Sequence, residues 1–497
     1  MKSFKYIFIL LILVLPSYLK AQDSTRNITL KEIKEEIRSE ADNFQPNPEL
    51  NKEQNALLKK EIKEKYEYEI KLLDTNHVFS IGIIHDLAQT ILNRLLISNP
   101  SIPQNTRIVV NRTNDYNAFT MGDNVIFVNL GLLYRLRNED EIALVLAHEL
   151  AHNMLNHVLA AMANNVIRET DPEVKKQLRE ILRSKYGVVT ALNELMIPRI
   201  FESREESRNH EFEADSLGYI YMKNAGYNNI SALGMFKYMD ALSKNIEERL
   251  DLTSCIAINE FPNILAKEKG YSRESSMGFT KEKDTTDLES YLSTHPYDID
   301  RFHRLAKQDG LNMDLNQCLR NVDSNYQVKF KSISEESIQT ALKEKDLTLV
   351  FYYLCKYVED FPEDTSGYEM MTTFFESLAF LKERRVSGKY LRLQDPEETE
   401  AVDHLAYFLY SLSPKECIDL SKKFKEKYDL KSLPNDAALS LSKMLNCLAD
   451  EKYELFYLIW LDNEKMVHAS NYGWILDEIK QYLYISKKVK QITPNKK

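Results

Sequence analysis

The stretch HELAHNMLNH, His148 to His157, places three histidines and a glutamate within ten residues. Residues four apart on an α-helix lie one above the other. His148 and His152 therefore aim two imidazoles at one point, the H-E-x-x-H arrangement that holds a zinc ion. Glu149 stands about 100° around the helix from His148, where it reaches a water on the metal without ligating the metal itself. Zinc lowers the pKa of such a water to roughly 7, so a neighbouring carboxylate can take its proton at neutral pH. Glu149 is thus the expected general base. His157 is nine positions after His148, which at about 100° per residue is the opposite face of a continuous helix. It reads as a packing or hydrogen-bonding residue rather than a ligand.

A histidine pair on an exposed, charged helix would carry no such chemistry. The residues IALVLA before the motif argue for burial, because they are apolar nearly all round. Unpaired polar groups in a buried helix cost roughly 1–3 kcal/mol each, and a metal supplies their partner. A catalytic zinc takes three protein ligands and keeps one position open. The segment SRNHEFEADSLGYIYMKNAG offers Glu211, Glu213 and Asp215 for the third. Glu211 and Asp215 share a helix face, whereas Glu213 is rotated about 200° from Glu211. Glu211 is the expected ligand. Asp215, one turn on, is expected to accept the other ring N–H of His148 or His152 and fix its tautomer. His210 is a rival ligand that lies off the Glu211 face. Ala214, Leu217, Gly218 and Ile220 show that this helix packs closely against something.

The elements that must position these groups are legible in outline. The HELAH helix opens at Asn138, with Glu141 three residues on as in a capping box and acidic residues crowding its first turn. Before it, HVFSIGIIHDLAQTILNRLLIS has the spacing of a packed amphipathic helix. TRIVVNRT and NAFTMGDNVIFVNLG read as two or three strands divided by turn residues around Gly122 and Asp123. DPEVKKQLREILRSKYGVV looks like an inserted helical excursion, and Ser272 to Ser290 like a polar loop. From about Ile333 the pattern is almost wholly helical, with helix pairs that suggest a tetratricopeptide-like or other α-helical repeat. A basic tail, KKVKQITPNKK, closes the chain.

With 497 residues the chain holds roughly two to four domains. Lys and Arg number 65 against 75 Asp and Glu, a net charge of −10 with no basic stripe, so nucleic-acid binding has no support. The opening MKSFKYIFILLILVLPSYLKAQ has the basic start, short apolar run and small residue at Ala21 of a secretory signal peptide. No second long apolar run follows, so the mature chain is expected to have no stable transmembrane span. The five cysteines lie in the second half without C-x-x-C spacing and form no thiolate zinc site. Disulfides and buried free thiols both remain open, and the 28 tyrosines suit either aromatic cores or sticky surfaces.

HELAH followed by SRNHEFEAD resembles the zinc peptidases of the HtpX and CAAX-prenyl-protease group, which are gluzincins. Ser207, Arg208, Glu211, Glu213, Ala214, Asp215 and Gly218 match that pattern in order. NAFTMGDNVIFVNLGLL is similar to the group's lead-in, and THPYDIDR to its later His-Pro segment with a following Arg. The resemblance covers about Thr106 to Leu305, and the want of several membrane spans points to the soluble, exported branch. It implies that His148, His152 and Glu211 ligate one Zn²⁺ with Glu149 as general base. It further implies that His295 can plug the zinc's open position. Arg301 is the choice for stabilising the oxyanion of the tetrahedral intermediate, set against a salt bridge to Asp298 or Asp300. Ala151 stands where the group often has Gly, and the interval from Asp215 to His295 is long for soluble members.

The expected fold is α+β and mostly α-helical. A signal peptide (1–21) precedes an N-terminal helical segment (22–75), a zinc metallopeptidase domain (76–310) and an α-helical C-terminal domain (330–497). The HExxH helix should pack beside a small sheet whose edge strand, with Val125, Phe127 and Asn129, takes up an extended peptide. The expected function is zinc-dependent endopeptidase action on exported or envelope proteins, in protein quality control at the periplasm or cell envelope. The alternative is a latent peptidase that works as a chaperone or assembly factor, docking an envelope protein on its C-terminal helices.

Overall fold

The computed structural model describes residues 30–74, 78–79, 82–183, 188–243, 250–256, 258–271, 298–315, 324–392, 399–427, 437–449 and 452–485. The expected signal peptide, the polar loop from Ser272 with His295 beyond it, and the basic tail lie outside the described residues. The chain divides into two compact units, Met1–Asp240 with Lys283–Phe330, and Ala241–Glu282 with Lys331–Lys497. The fold is α+β and mostly helical, with one small sheet.

In the first unit, a helix over 30–42 and α1 (Lys52–Asp74) lead to β1 (Val78–Phe79), α2 (Ile83–Ser98), β2 (Arg107–Asn111), β3 (Ala118–Thr120) and β4 (Val125–Asn129). The single helix expected from His77 onward is divided. Gly82 takes φ 104°, a left-handed value that suits glycine, so α2 starts only at Ile83 and Val78–Phe79 pairs with β2. The sheet order is β1-β2-β4-β3, with β2 parallel to β4 from Arg107↔Val125 to Asn111↔Asn129 and β3 antiparallel to β4. One face is covered by Ile33, Ile37, Leu58, Ile62 and Tyr66, which cluster with Val109, Val125 and Phe127. Each such aliphatic side chain contributes about 1.5–3 kcal/mol by leaving water.

The topology corrects the expected edge strand. Val125, Phe127 and Asn129 belong to β4, which is paired on both sides and buried at all five positions. A continuous apolar run such as VIFVN is what an interior strand with a parallel neighbour requires. The outer strand on that side is β3.

After α3 (Leu130–Arg135) comes α4 (Glu139–Met154), the HELAH helix. Asn138 Oδ1 accepts from Glu141 N at 2.9 Å, as a capping box requires, while the Glu141 carboxylate returns to Arg137 N at 2.7 Å, one residue earlier than in the standard box. Helix α4 buries ten of the eleven residues from Glu141 to Ala151, so it sits in the core. Next come α5 (His157–Thr170) and α6 (Pro172–Arg183); no residue of α6 is buried, which fits the expected excursion. Helix α7 (Val188–Asn224) carries HEFEAD back against α4. A Cβ on Gly218 would lie 2.8 Å from the backbone of Ala147 and His148, so only glycine allows this approach. Helix α8 (Asp298–Gln308) buries Phe302, Leu305 and Ala306. Its end is tied to α7 through Asp309, which accepts from Tyr219 Oη at 3.0 Å and pairs with Lys223.

The described residues of the second unit are helical and rich in buried aromatic rings. Phe351 stacks on Phe374 and Phe408, and Phe375 on Phe424, while Tyr352, Tyr353 and Tyr357 are buried. These tyrosines serve an aromatic core. Cys255, Cys355, Cys417 and Cys447 are buried, and no disulfide joins them; Cys318 lies outside the described residues. Among the described residues no helix is long and apolar enough to cross a membrane.

The Gly218 contact yields a test. Gly218→Ala should force α4 and α7 apart and destabilise the fold by about 1–3 kcal/mol, the usual cost of overpacking. A fall in the thermal midpoint checks this, and an unchanged midpoint would show that the helices have room to spare.

Candidate metal centre

Helix α4 presents His148 and His152 side by side, and α7 presents Glu211 opposite them. His148 Nε2 and His152 Nε2 are 3.0 Å apart. Glu211 lies 3.6 Å from His148 Nε2 through one oxygen and 3.4 Å from His152 Nε2 through the other. Each residue can offer one ligand atom, with all three atoms within 4.8 Å of one another. Ligands at 2.0–2.1 Å in a tetrahedron stand about 3.3 Å apart. The donor set therefore fits a zinc-sized ion without rearrangement.

The remaining ring nitrogens are held in two separate chains of contact. His148 Nδ1 lies 2.9 Å from Asp215 Oδ1. Asp215 in turn accepts from Arg301 Nε at 2.8 Å and Nη2 at 2.7 Å, a two-pronged pair that locks the carboxylate in place. A proton on His148 Nδ1 leaves the Nε2 lone pair facing Glu211 and His152. On the other side, His152 Nδ1 lies 2.9 Å from His157 Nδ1, and His157 Nε2 lies 3.2 Å from Glu213 Oε2. The Glu213 carboxylate can only accept from Nε2–H, so His157 Nδ1 is the acceptor and His152 Nδ1–H the donor. That order again frees Nε2, this time on His152.

The electrostatics agree. Burial works against a charge on His148, but the Asp215 and Glu211 carboxylates outweigh it and push its pKa up to about 10. The cluster thus draws a positive charge to the point between the ligand atoms, which a divalent cation would supply in place of a proton. Burial also opposes the Asp215 charge, yet Arg301 and His148 prevail and hold its carboxyl well below the usual carboxylate range. His157 is moved the other way: burial and its neighbours His152 and His210 push its pKa down to about 4. It is therefore neutral near pH 7, as its place in the chain of tautomers requires.

Each residue singled out from sequence can now be located. His148, His152 and Glu211 converge, with Asp215 behind His148 rather than His152. Glu149 is buried on α4 beside His148. His295 lies outside the described residues. Arg301 has a different occupation from the oxyanion role expected of it. Two of its nitrogens are taken by Asp215, while Asp298 lies 3.8 Å from Nη1 and Glu211 3.9 Å from Nη2; it positions Asp215, and the salt bridge considered with Asp298 is longer than that with Asp215. His210 stacks on His157 at 4.2 Å between ring centroids and is not in the ligand cluster.

His157 is a hydrogen-bonding residue and not a ligand, as expected, but it faces His152 rather than the opposite side, and its link to Glu213 was not foreseen. The face argument assumed one continuous helix, but α4 ends at Met154 and Asn156 takes the left-handed φ of 56°. The chain turns there, and His157 at the start of α5 swings back toward His152. Asn156 was the available signal, since asparagine is among the few residues that accept this conformation.

Comparison with known proteins adds to the geometry. Residues 84–309 match the profile described as Peptidase family M48. "Metalloprotease YcaL" of Escherichia coli (strain K12) is 31% identical over 134 residues, which make up 26% of this chain and 49% of that protein. A Vibrio cholerae protein named "Putative beta-barrel assembly-enhancing protease" is 24% identical over 161 residues, 32% of this chain and 33% of that one. The matched parts thus span half or less of these curated relatives. The matched segment contains α4, α7 and α8 and with them every described residue of the cluster, so the likeness to peptidase family M48 lies over the His148, His152 and Glu211 cluster itself.

Proposed function

We propose that the domain is a zinc-dependent endopeptidase with His148, His152 and Glu211 as metal ligands and Glu149 as general base. The observation that carries this reading is the convergence of two Nε2 atoms and one carboxylate at 3.0–3.6 Å. The match of residues 84–309 to peptidase family M48 supports metal-dependent proteolysis. Two imidazoles and a carboxylate suit zinc among the common metals. Bound there, zinc would polarise a peptide carbonyl and make a water acidic enough to lose a proton near pH 7.

The chain's own residues do the rest. Glu149 takes the proton of the attacking water and hands it to the leaving amine. Asp215, braced by Arg301, and the His157–Glu213 pair keep both imidazoles in the ligating tautomer. An extended substrate segment pairs with β3, the outer strand. Thr120 Oγ1 of β3 donates to Asn153 Oδ1 of α4 at 2.6 Å, which brings this strand beside the metal ligands. The substrates are exported or envelope proteins, and the setting is protein quality control in the periplasm. The name of the Vibrio cholerae relative and the signal-like start of the chain support that placing.

Two experiments test the assignments. Glu149→Gln should retain one zinc per chain by elemental analysis while casein hydrolysis falls about 10²–10⁴-fold, the usual share of a general base. Undiminished turnover would remove Glu149 from that role. Separately, His157→Phe and Arg301→Ala should each weaken zinc retention about 10–100-fold against a chelator, as loss of ligand support does elsewhere. Equal retention in wild type and both variants would show that neither chain of contacts orients the ligands.

A further inference from the structure

The helical second unit contains a cavity of about 480 Å³. It lies among α9 (Thr365–Glu383), α10 (Pro414–Lys427), α11 (Ala437–Ala449) and α12 (Gly473–Ile485). Small-molecule sites run from roughly 300 to 1,000 Å³, so the volume exceeds a packing defect and suits a ligand. Glu376, Phe380, Glu383, Arg384, Asn446 and Tyr482 are among its walls.

Glu376 is the unusual member, a carboxylate only 2% exposed in the middle of a helical core. Its Oε1 is saturated, accepting from Ser421 Oγ at 2.8 Å, from Asn446 Nδ2 at 2.9 Å and from Lys425 Nζ. Its Oε2 is buried and has no hydrogen-bond partner among the described residues. An unmatched buried polar atom of this kind is costly, and here it belongs to a side chain that lines an open volume. The aromatic walls are preset: Phe380 and Tyr482 meet edge to face at 5.8 Å. Arg384 does not compete for Glu376, because its Nη1 is bound to the carbonyl and carboxylate of Glu478. Lys425 pairs with Glu376 through Oε1, Arg384 and Lys389 pair with Glu478, and Glu383 adds a second carboxylate to the walls.

We propose that this cavity binds a primary ammonium group carried on an apolar body, with the ammonium donating to Glu376 Oε2 and the apolar part lying against Phe380 and Tyr482. The ligand class is an arylalkyl or alkyl amine, either free or as the lysine side chain of a peptide. The site is independent of the metal centre and of the peptidase reading.

The full chain, loaded with zinc, is titrated with 2-phenylethylamine by ligand-observed NMR. The neutral 2-phenylethanol and the anion 3-phenylpropionate serve as charge controls. Saturable binding of the amine, at least tenfold stronger than either control, is expected. Glu376→Gln should weaken it at least tenfold, and Ala379→Phe, which fills the cavity, should abolish it, while casein hydrolysis stays unchanged in both. Should Glu376→Gln fail to fold by circular dichroism, Ala379→Phe and the two charge controls still decide the matter. Acetyl-Phe-Lys-amide binding more tightly than the amine assigns the ligand to peptides, and the reverse order to free amines. Equal binding of all three probes, no saturable binding of the amine, or full binding by Ala379→Phe would overturn the proposal.

Discussion

The candidate site depends on one close approach, that of α7 to α4. Two imidazoles on one helix make only half of a metal site, and the carboxylate that completes it is carried by a helix that begins more than thirty residues later. Gly218 removes the one Cβ that would hold the two backbones apart at Ala147 and His148. Once the helices touch there, the three-residue step back along α7 to Asp215 and the further turn to Glu211 put both carboxylates level with the HELAH imidazoles. The buried, apolar character of α4 from Ile142 to Leu146 supplies the force that keeps them together.

Bringing these groups into the core sets an electrostatic demand that the surrounding residues meet. Isolated buried charges are costly, and the ones here are paired and hydrogen-bonded. Arg301 braces Asp215, Asp215 fixes His148, and Glu213 acts through His157 on His152. The two sides use different chemistry for one result. One is a charged guanidinium–carboxylate pair, and the other passes through a neutral histidine. Both leave an Nε2 lone pair aimed at the same point. Helix α8, held to α7 through Asp309, is what brings Arg301 to that place.

Much of this was legible from residue types and spacing, for reasons that are local. The i, i+4 histidines share a face in any α-helix, Glu211 and Asp215 do the same one helix later, and Asn138 caps its helix through its own side chain. These relations need only the geometry of 3.6 residues per turn. Where the reading failed, a local rule had been carried past its range. The His157 face argument extended one helix through Asn156, and the split between β1 and α2 turned on a backbone angle at Gly82. Arg301 was assigned to the reaction because a cation near a metal suggests oxyanion binding, whereas its partners are settled by contacts with another helix.

The edge strand shows the division most plainly. β-Branched and aromatic residues bounded by turn residues identify Val125–Asn129 as a strand, and the apolar run from Val125 to Val128 even indicates burial on both faces. Which strands lie beside it is a matter of pairing between distant segments, and β2 and β3 take those places. So the sequence by itself determined the types of element that carry the cluster, the ligand candidates and the helical character of both units, because each follows from short-range periodicity. Only the tertiary structure decided which ring nitrogen faces which carboxylate, which strand is outermost, and that Glu376 lines a cavity with one oxygen unmatched. Those depend on contacts between segments far apart in the chain, which no local pattern encodes.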